Sequence, residues 1–181
     1  MKNKKIAIIS IFAAIIVILQ IIATYVNFGG FPITLTLIPI IVAGAVYGPA
    51  IGAIMGLVFG MIVSFMVITG ADPSGAVMLA THPIITVVTC LLKGTLAGLL
   101  GSISYMKVNN KKLAIVIDAI ITPITNTAIL SISLILFFDT SFVAAIGLFM
   151  GINFAIELAI NVLIAPGLTN LIQRAQSRII Q

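Results

Sequence analysis

Residues 29–65, GGFPITLTLIPIIVAGAVYGPAIGAIMGLVFGMIVSF, decide the fold. The chain leaves a loop bearing glycine and proline, runs through one apolar segment, turns at Gly48-Pro49 and returns through a second. Gly44, Gly48, Gly52, Gly56 and Gly60 fall four apart, so within a helix they share one face. In lipid, merging two apolar surfaces gains little, and a face stripped to glycine lets backbones approach closely. The pattern predicts a tight transmembrane hairpin. It is no phosphate loop: Gly70 and Gly75 have the spacing of one, but Ala76 follows where lysine is required.

The rest of the composition agrees. Of 181 residues, 61% are hydrophobic and 7% charged, and the mean hydropathy is +1.34. A chain with so little polar surface has the bilayer as its solvent. At roughly 20 residues per span there is room for about six helices and no second domain. The expectation is an all-α integral membrane protein, a six-transmembrane-helix bundle occupying residues 1–181 as a single domain. Its helices fall near 6–24, 37–47, 50–69, 83–106, 113–138 and 142–165, with an amphipathic tail over 168–180. The first segment reads as a retained helix, because its apolar run exceeds a signal-peptide core and no small-x-small cleavage site follows it. Pro166-Gly167 is expected to interrupt the last helix, and residues 70–75 read as a polar outer loop that leads through Thr81-His82-Pro83 into the fourth helix. Cys90 alone supports no disulfide.

The cations set the topology. Lys2, Lys4 and Lys5 precede the first helix, Lys107, Lys111 and Lys112 separate the fourth and fifth, and Arg174 and Arg178 follow the sixth. With six spans all of these share one side, which the positive-inside rule makes cytoplasmic, together with both termini. The pI near 9.7 therefore reports orientation. Nucleic-acid binding would need a clustered basic face on a recognisable module, and neither is present.

Polar side chains inside a membrane are costly and mark functional candidates. Asp118, Thr122, Thr125 and Asn126 lie near one face of the fifth helix, and Asn153, Glu157 and Asn161 share a face of the sixth. Lys93 sits near the middle of the fourth. One reading is interhelical hydrogen bonding that fixes the packing, which suits Asp118 and Asn161 near the cytoplasmic end. The other is a pocket open to the outside, for which Asn126, Asn153 and Glu157 are the candidates. Lys93 either pairs with Glu157 or meets an anionic substrate. His82 is a loop histidine or a ligand, and Tyr25, Phe28 and Phe31 are interfacial aromatics or a lid. A lone histidine and a lone cysteine give no zinc set. No paired aspartates and no serine–histidine arrangement stand at a common depth, which argues against an enzyme.

The stretch TLTLIPIIVAGAVYGPAIGAIMGLVFG (34–60), six helices in this length and a long first loop resemble the substrate-binding S components of energy-coupling factor (ECF) vitamin transporters. FPITLTLIPIIVAGAVYGP and the outer GADP look most like the pantothenate-specific members. Hydroxymethylpyrimidine and pyridoxine-type members are alternatives. The resemblance implies a multi-pass protein of the bacterial plasma membrane that captures a vitamin, holds no cofactor or metal, and docks on a coupling subunit driven by two ATPases. It implies docking through small residues of the first helix, usually Ala-x-x-x-Ala, here Ser10 and Ala14 preceded by Ala7. It implies a ligand pocket including Asn27, Phe31, His82, Lys93, Asn126, Asn153 and Glu157. For pantothenate, Lys93 or His82 would answer the carboxylate, with Asn126 and Asn153 serving the amide and hydroxyls. A stand-alone channel and an intramembrane enzyme are the readings from other classes.

Overall fold

The structure, a computed structural model, describes the backbone of residues 2–25, 27–28, 31–32 and 35–179. These form seven helices and one short hairpin: α1 (Lys2–Tyr25), β1 (Asn27–Phe28), β2 (Phe31–Pro32), α2 (Leu37–Tyr47), α3 (Pro49–Ile68), α4 (Pro73–Thr81), α5 (Pro83–Lys107), α6 (Lys111–Phe137) and α7 (Thr140–Ile179). The strands pair antiparallel, Asn27 with Pro32 and Phe28 with Phe31. Four described helical stretches are long and apolar enough to cross a membrane: Pro49–Ile68, Pro83–Lys107, Lys111–Phe137 and Gly151–Ala175. Ile9–Ala23 and Leu37–Tyr47 are apolar but shorter.

The turn between α2 and α3 rests on one residue. Gly48 closes α2 by donating its N–H to the Gly44 carbonyl at 2.8 Å, and stands directly before Pro49 at the start of α3. Its φ of +96° is a conformation that side chains with a Cβ avoid, while Pro49 gives up an N–H that a first helical turn leaves unbonded in any case. The hairpin reverses within a single residue.

The glycine face is used differently from the expectation. Gly44 and Gly52 do approach each other near the turn, but the rest of the face belongs to α5. A Cβ on Gly56 would run into the Gly94 carbonyl, one on Gly52 into the Gly98 carbonyl, and one on Gly60 into the Cys90 carbonyl. The relation is reciprocal, since a Cβ on Gly94 or Gly98 would strike the carbonyl of Gly56 or Gly52. Each step of four along α3 meets a step of four back along α5, so the two helices run antiparallel, backbone on backbone. This seam is the most extensive helix contact in the bundle.

Two expectations on helix limits are corrected. Residues 73–81, read as the end of the polar loop and the lead from it into the next long helix, form α4. Asp72 caps it by accepting the Gly75 N–H at 3.1 Å, and Pro73 occupies its first turn, a start signature that a reading for apolar runs passes over. The expected break at Pro166-Gly167 does not occur; α7 continues through Pro166. Proline removes one backbone donor from a helix, and here packing offsets that loss. Ala165 and Thr169 are buried, and the Gln173 amide donates to the Tyr105 hydroxyl at 2.9 Å. The last turns thus belong to the bundle rather than forming a separate tail.

Overfilling the seam is the direct test. Gly56→Leu is expected to destabilise the protein by about 3 kcal/mol, whereas Gly151→Ala, where an added Cβ meets nothing within 4 Å, should leave it unchanged. Thermal unfolding of the detergent-solubilised protein measures both.

Candidate functional site

Helical periodicity brings the polar groups together. Asn153 and Glu157 lie one turn apart on α7, Thr86, Cys90 and Lys93 follow one stripe of α5, and Asn126 and Leu130 share a side of α6. All of them line one cavity, bounded also by Gln20 of α1, by Phe59, Val63 and Val67 of α3, and by Asp72, Ser74, Gly75 and Met78 at and near α4. The cavity lies toward the end of the bundle that carries Asp72 and the start of α4, away from the Lys107–Lys111 junction. Its volume is about 90 Å³, room for roughly three waters.

Of the residues expected to bind a ligand, Lys93, Asn126, Asn153 and Glu157 line this cavity. The two asparagines and the glutamate are buried. Asn126 Oδ1 is buried and has no hydrogen-bond partner among the described residues. The Lys93 ammonium lies 5.8 Å from the centre of the Phe59 ring, within the range where a ring face attracts a cation. That contact places a positive charge on the cavity wall.

His82 stands apart. It does not line the cavity; its ring packs edge-on against Phe138 with centroids 5.2 Å apart. Its carbonyl accepts the Thr86 hydroxyl at 2.8 Å, which ties it to the first turn of α5. The side chains of Asn27 and Phe31 lie outside the described part of the structure, which gives only their place in the hairpin.

A second polar group lies deeper, toward the Lys107–Lys111 junction. Asp118 and Thr122 of α6 are fully buried, and the Thr122 hydroxyl donates to Asp118 Oδ1 at 2.9 Å. Gly101 of α5 makes room for both, since a Cβ there would strike the Thr122 hydroxyl and the Asp118 carboxylate. On α7, Asn161 donates its side-chain N–H to the Glu157 carbonyl at 2.7 Å. None of these three residues lines the cavity.

Several lining residues escaped the sequence reading. Phe59 is hidden inside the apolar run of α3, and Asp72 and Ser74 depend on α4 being a helix. Gln20 did carry a signal, as a lone amide within an apolar helix. On α1 it shares the buried side with Phe12, Ile16 and Ala23. Ala7, Ser10 and Ala14, the expected docking residues, are all exposed.

The family described as "ECF transporter, substrate-specific component" matches residues 4–169. The chain is also similar to the pantothenic acid transporter PanT of Lactococcus lactis subsp. cremoris (strain MG1363), 29% identical over 189 residues, covering 98% of this chain and 95% of that protein. No solved structure matches. With an apolar helical bundle and nearly the whole chain inside the family's bounds, this membrane protein belongs to the substrate-specific components of ECF transporters.

Proposed function

We propose that the chain binds a water-soluble vitamin, pantothenate before others, and carries it across the membrane within an ECF importer. The observation that carries this reading is the cavity: a lysine, two asparagines and a glutamate gathered on the inner faces of three apolar helices. Groups so costly to bury are kept where a hydrophilic molecule replaces the water they lack. Pantothenate has a carboxylate, an amide and two hydroxyls. Lys93 suits the first, and the asparagines and carboxylates of the wall suit the others. The likeness to a pantothenic acid transporter supports the choice of vitamin.

A volume of about 90 Å³ is below what ligand sites of this class offer, roughly 300 Å³ or more. Pyridoxine-type and hydroxymethylpyrimidine ligands form the second reading, favoured by the presence of two carboxylates, Asp72 and Glu157, in the wall, which suit a ligand rich in donors.

In the proposed assembly six helices cross the membrane, with both termini cytoplasmic and the cavity facing outward. The chain holds no cofactor; two ATPases act through a coupling subunit that docks on α1. The exposed row of Ala7, Ser10 and Ala14 is the docking face, since small side chains let another helix come close.

Isothermal titration of the solubilised chain against pantothenate, pyridoxine and hydroxymethylpyrimidine tests the reading. Pantothenate is expected to bind without ATP, and Lys93→Met to weaken it about 10- to 100-fold, the scale of a lost hydrogen bond to a charged group. Binding of none of the three would refute the assignment. Ser10→Trp is expected to abolish uptake in cells that carry the coupling subunit and ATPases, with vitamin affinity unchanged. Equal loss of both would remove α1 as the docking face.

A further inference from the structure

Two hollows in the bundle share a wall. The cavity described above and a groove between α6 and α7 have two lining residues in common, Thr127 of α6 and Phe154 of α7. Beyond them the groove runs past Ser131, Leu134 and Ile135 on α6 and past Gly147 and Gly151 on α7, and holds about 280 Å³. Ile135, Gly147 and Gly151 are exposed, so the groove lies on the lipid side of the bundle.

The two shared residues differ in what they can do. Thr127 is short and branched at Cβ, which leaves its side chain few orientations. Phe154 is long and half-buried. A helical side chain leans toward the N-terminus, over the turn before its own. For Phe154 that turn contains Gly151, and Gly147 follows one turn further along the same side. A Cβ added to either glycine would meet nothing within 4 Å, so the ring has open space on the groove side. On the cavity side its neighbours along α7 are polar, Asn153 before it and Glu157 one turn on, both in the cavity wall. A phenyl group is more at home among acyl chains than in such a hollow.

We propose that Phe154 is the residue that sets the size of ligand the site accepts. Its ring parts the cavity from the groove, and it turns into the groove, over Gly151, when a vitamin longer than the cavity is bound. The cavity gains the space the ring held, and the ring in its new place keeps lipid from the ligand. Pantothenate, an open chain with its carboxylate at one end and its hydroxyls at the other, draws on that space more than a single-ring vitamin does. The inference rests on the vitamin-binding reading and adds to it what limits the ligand's length.

The test compares Gly151→Leu, Phe154→Ala and the double variant of the full chain in detergent, each titrated with pantothenate and followed by thermal unfolding. Gly151→Leu fills the groove and is expected to weaken binding about tenfold, the scale of an overpacked contact, with the unfolding temperature unchanged. Phe154→Ala has no ring to displace and is expected to keep wild-type affinity. In the double variant nothing has to turn, so its affinity should match that of Phe154→Ala, the coupling expected of two residues that compete for one space. Wild-type affinity in Gly151→Leu would overturn the proposal, as would a loss that persists undiminished in the double variant. Loss of binding in Phe154→Ala would make the ring a ligand contact and overturn it equally. Should Gly151→Leu yield no folded protein, Gly147→Leu fills the same groove, and wild-type affinity there would overturn the proposal. A wild-type chain that binds none of the vitamins removes the functional reading and this role with it, a result distinct from a wild type that binds and a filled groove that makes no difference.

Discussion

The bundle depends on contact between two bare backbones. Along α3 and α5 there is no side chain to interdigitate at Gly52, Gly56, Gly94 or Gly98, and each glycine faces a carbonyl of the other helix. In water such a surface would gain little, because it buries almost no apolar side-chain area. In lipid, dispersion contact between closely packed main chains is one of the few forces available. The seam fixes α3 against α5, and these two helices carry Phe59 and Lys93 to the same wall of the cavity. The cation and the ring beneath it meet because nothing but hydrogen separates their helices one turn away.

The remaining polar groups sort by depth. Near the α4 end they line a hollow; near the Lys107–Lys111 junction they bond within their own helices, Thr122 to Asp118 and Asn161 to the Glu157 carbonyl. The deeper group has lost its space to close packing against Gly101. A bundle arranged this way is tight at one end and hollow at the other. That asymmetry suits a binding protein better than a pore, which would need a polar path along its full length.

The parts of this arrangement legible in the sequence were those with a period. Spacing of four exposed the glycine face, and the same spacing on α6 and α7 picked out Asn126, Asn153 and Glu157. Period does not name a partner. The reciprocal glycines of α5 stood in the sequence, but nothing local ties Gly94 to Gly56 across 37 intervening positions. Non-periodic signals were harder. The cap at Asp72-Pro73 marked α4 in a segment too short to register as a hydrophobic run, and Gln20 was a lone departure from an apolar helix. His82 was drawn toward the site by its chemistry, whereas its backbone place ahead of α5 turns its ring toward Phe138. The continuity of α7 through Pro166 came from tertiary packing, which a proline in isolation cannot report.

The shortness of α2 has a consequence for where water reaches. Its 11 residues extend about 16 Å, half of a hydrocarbon layer roughly 30 Å deep. The stretch ahead of it is a two-stranded hairpin and the turn at Leu35 and Thr36, and a hairpin's outer edges leave peptide groups unsatisfied. Such groups do not face acyl chains; they are sheltered by protein or wetted. A helix of half the layer's depth therefore leaves the remaining depth to be sheltered by its neighbours, and the second strand lies against α1 and α7.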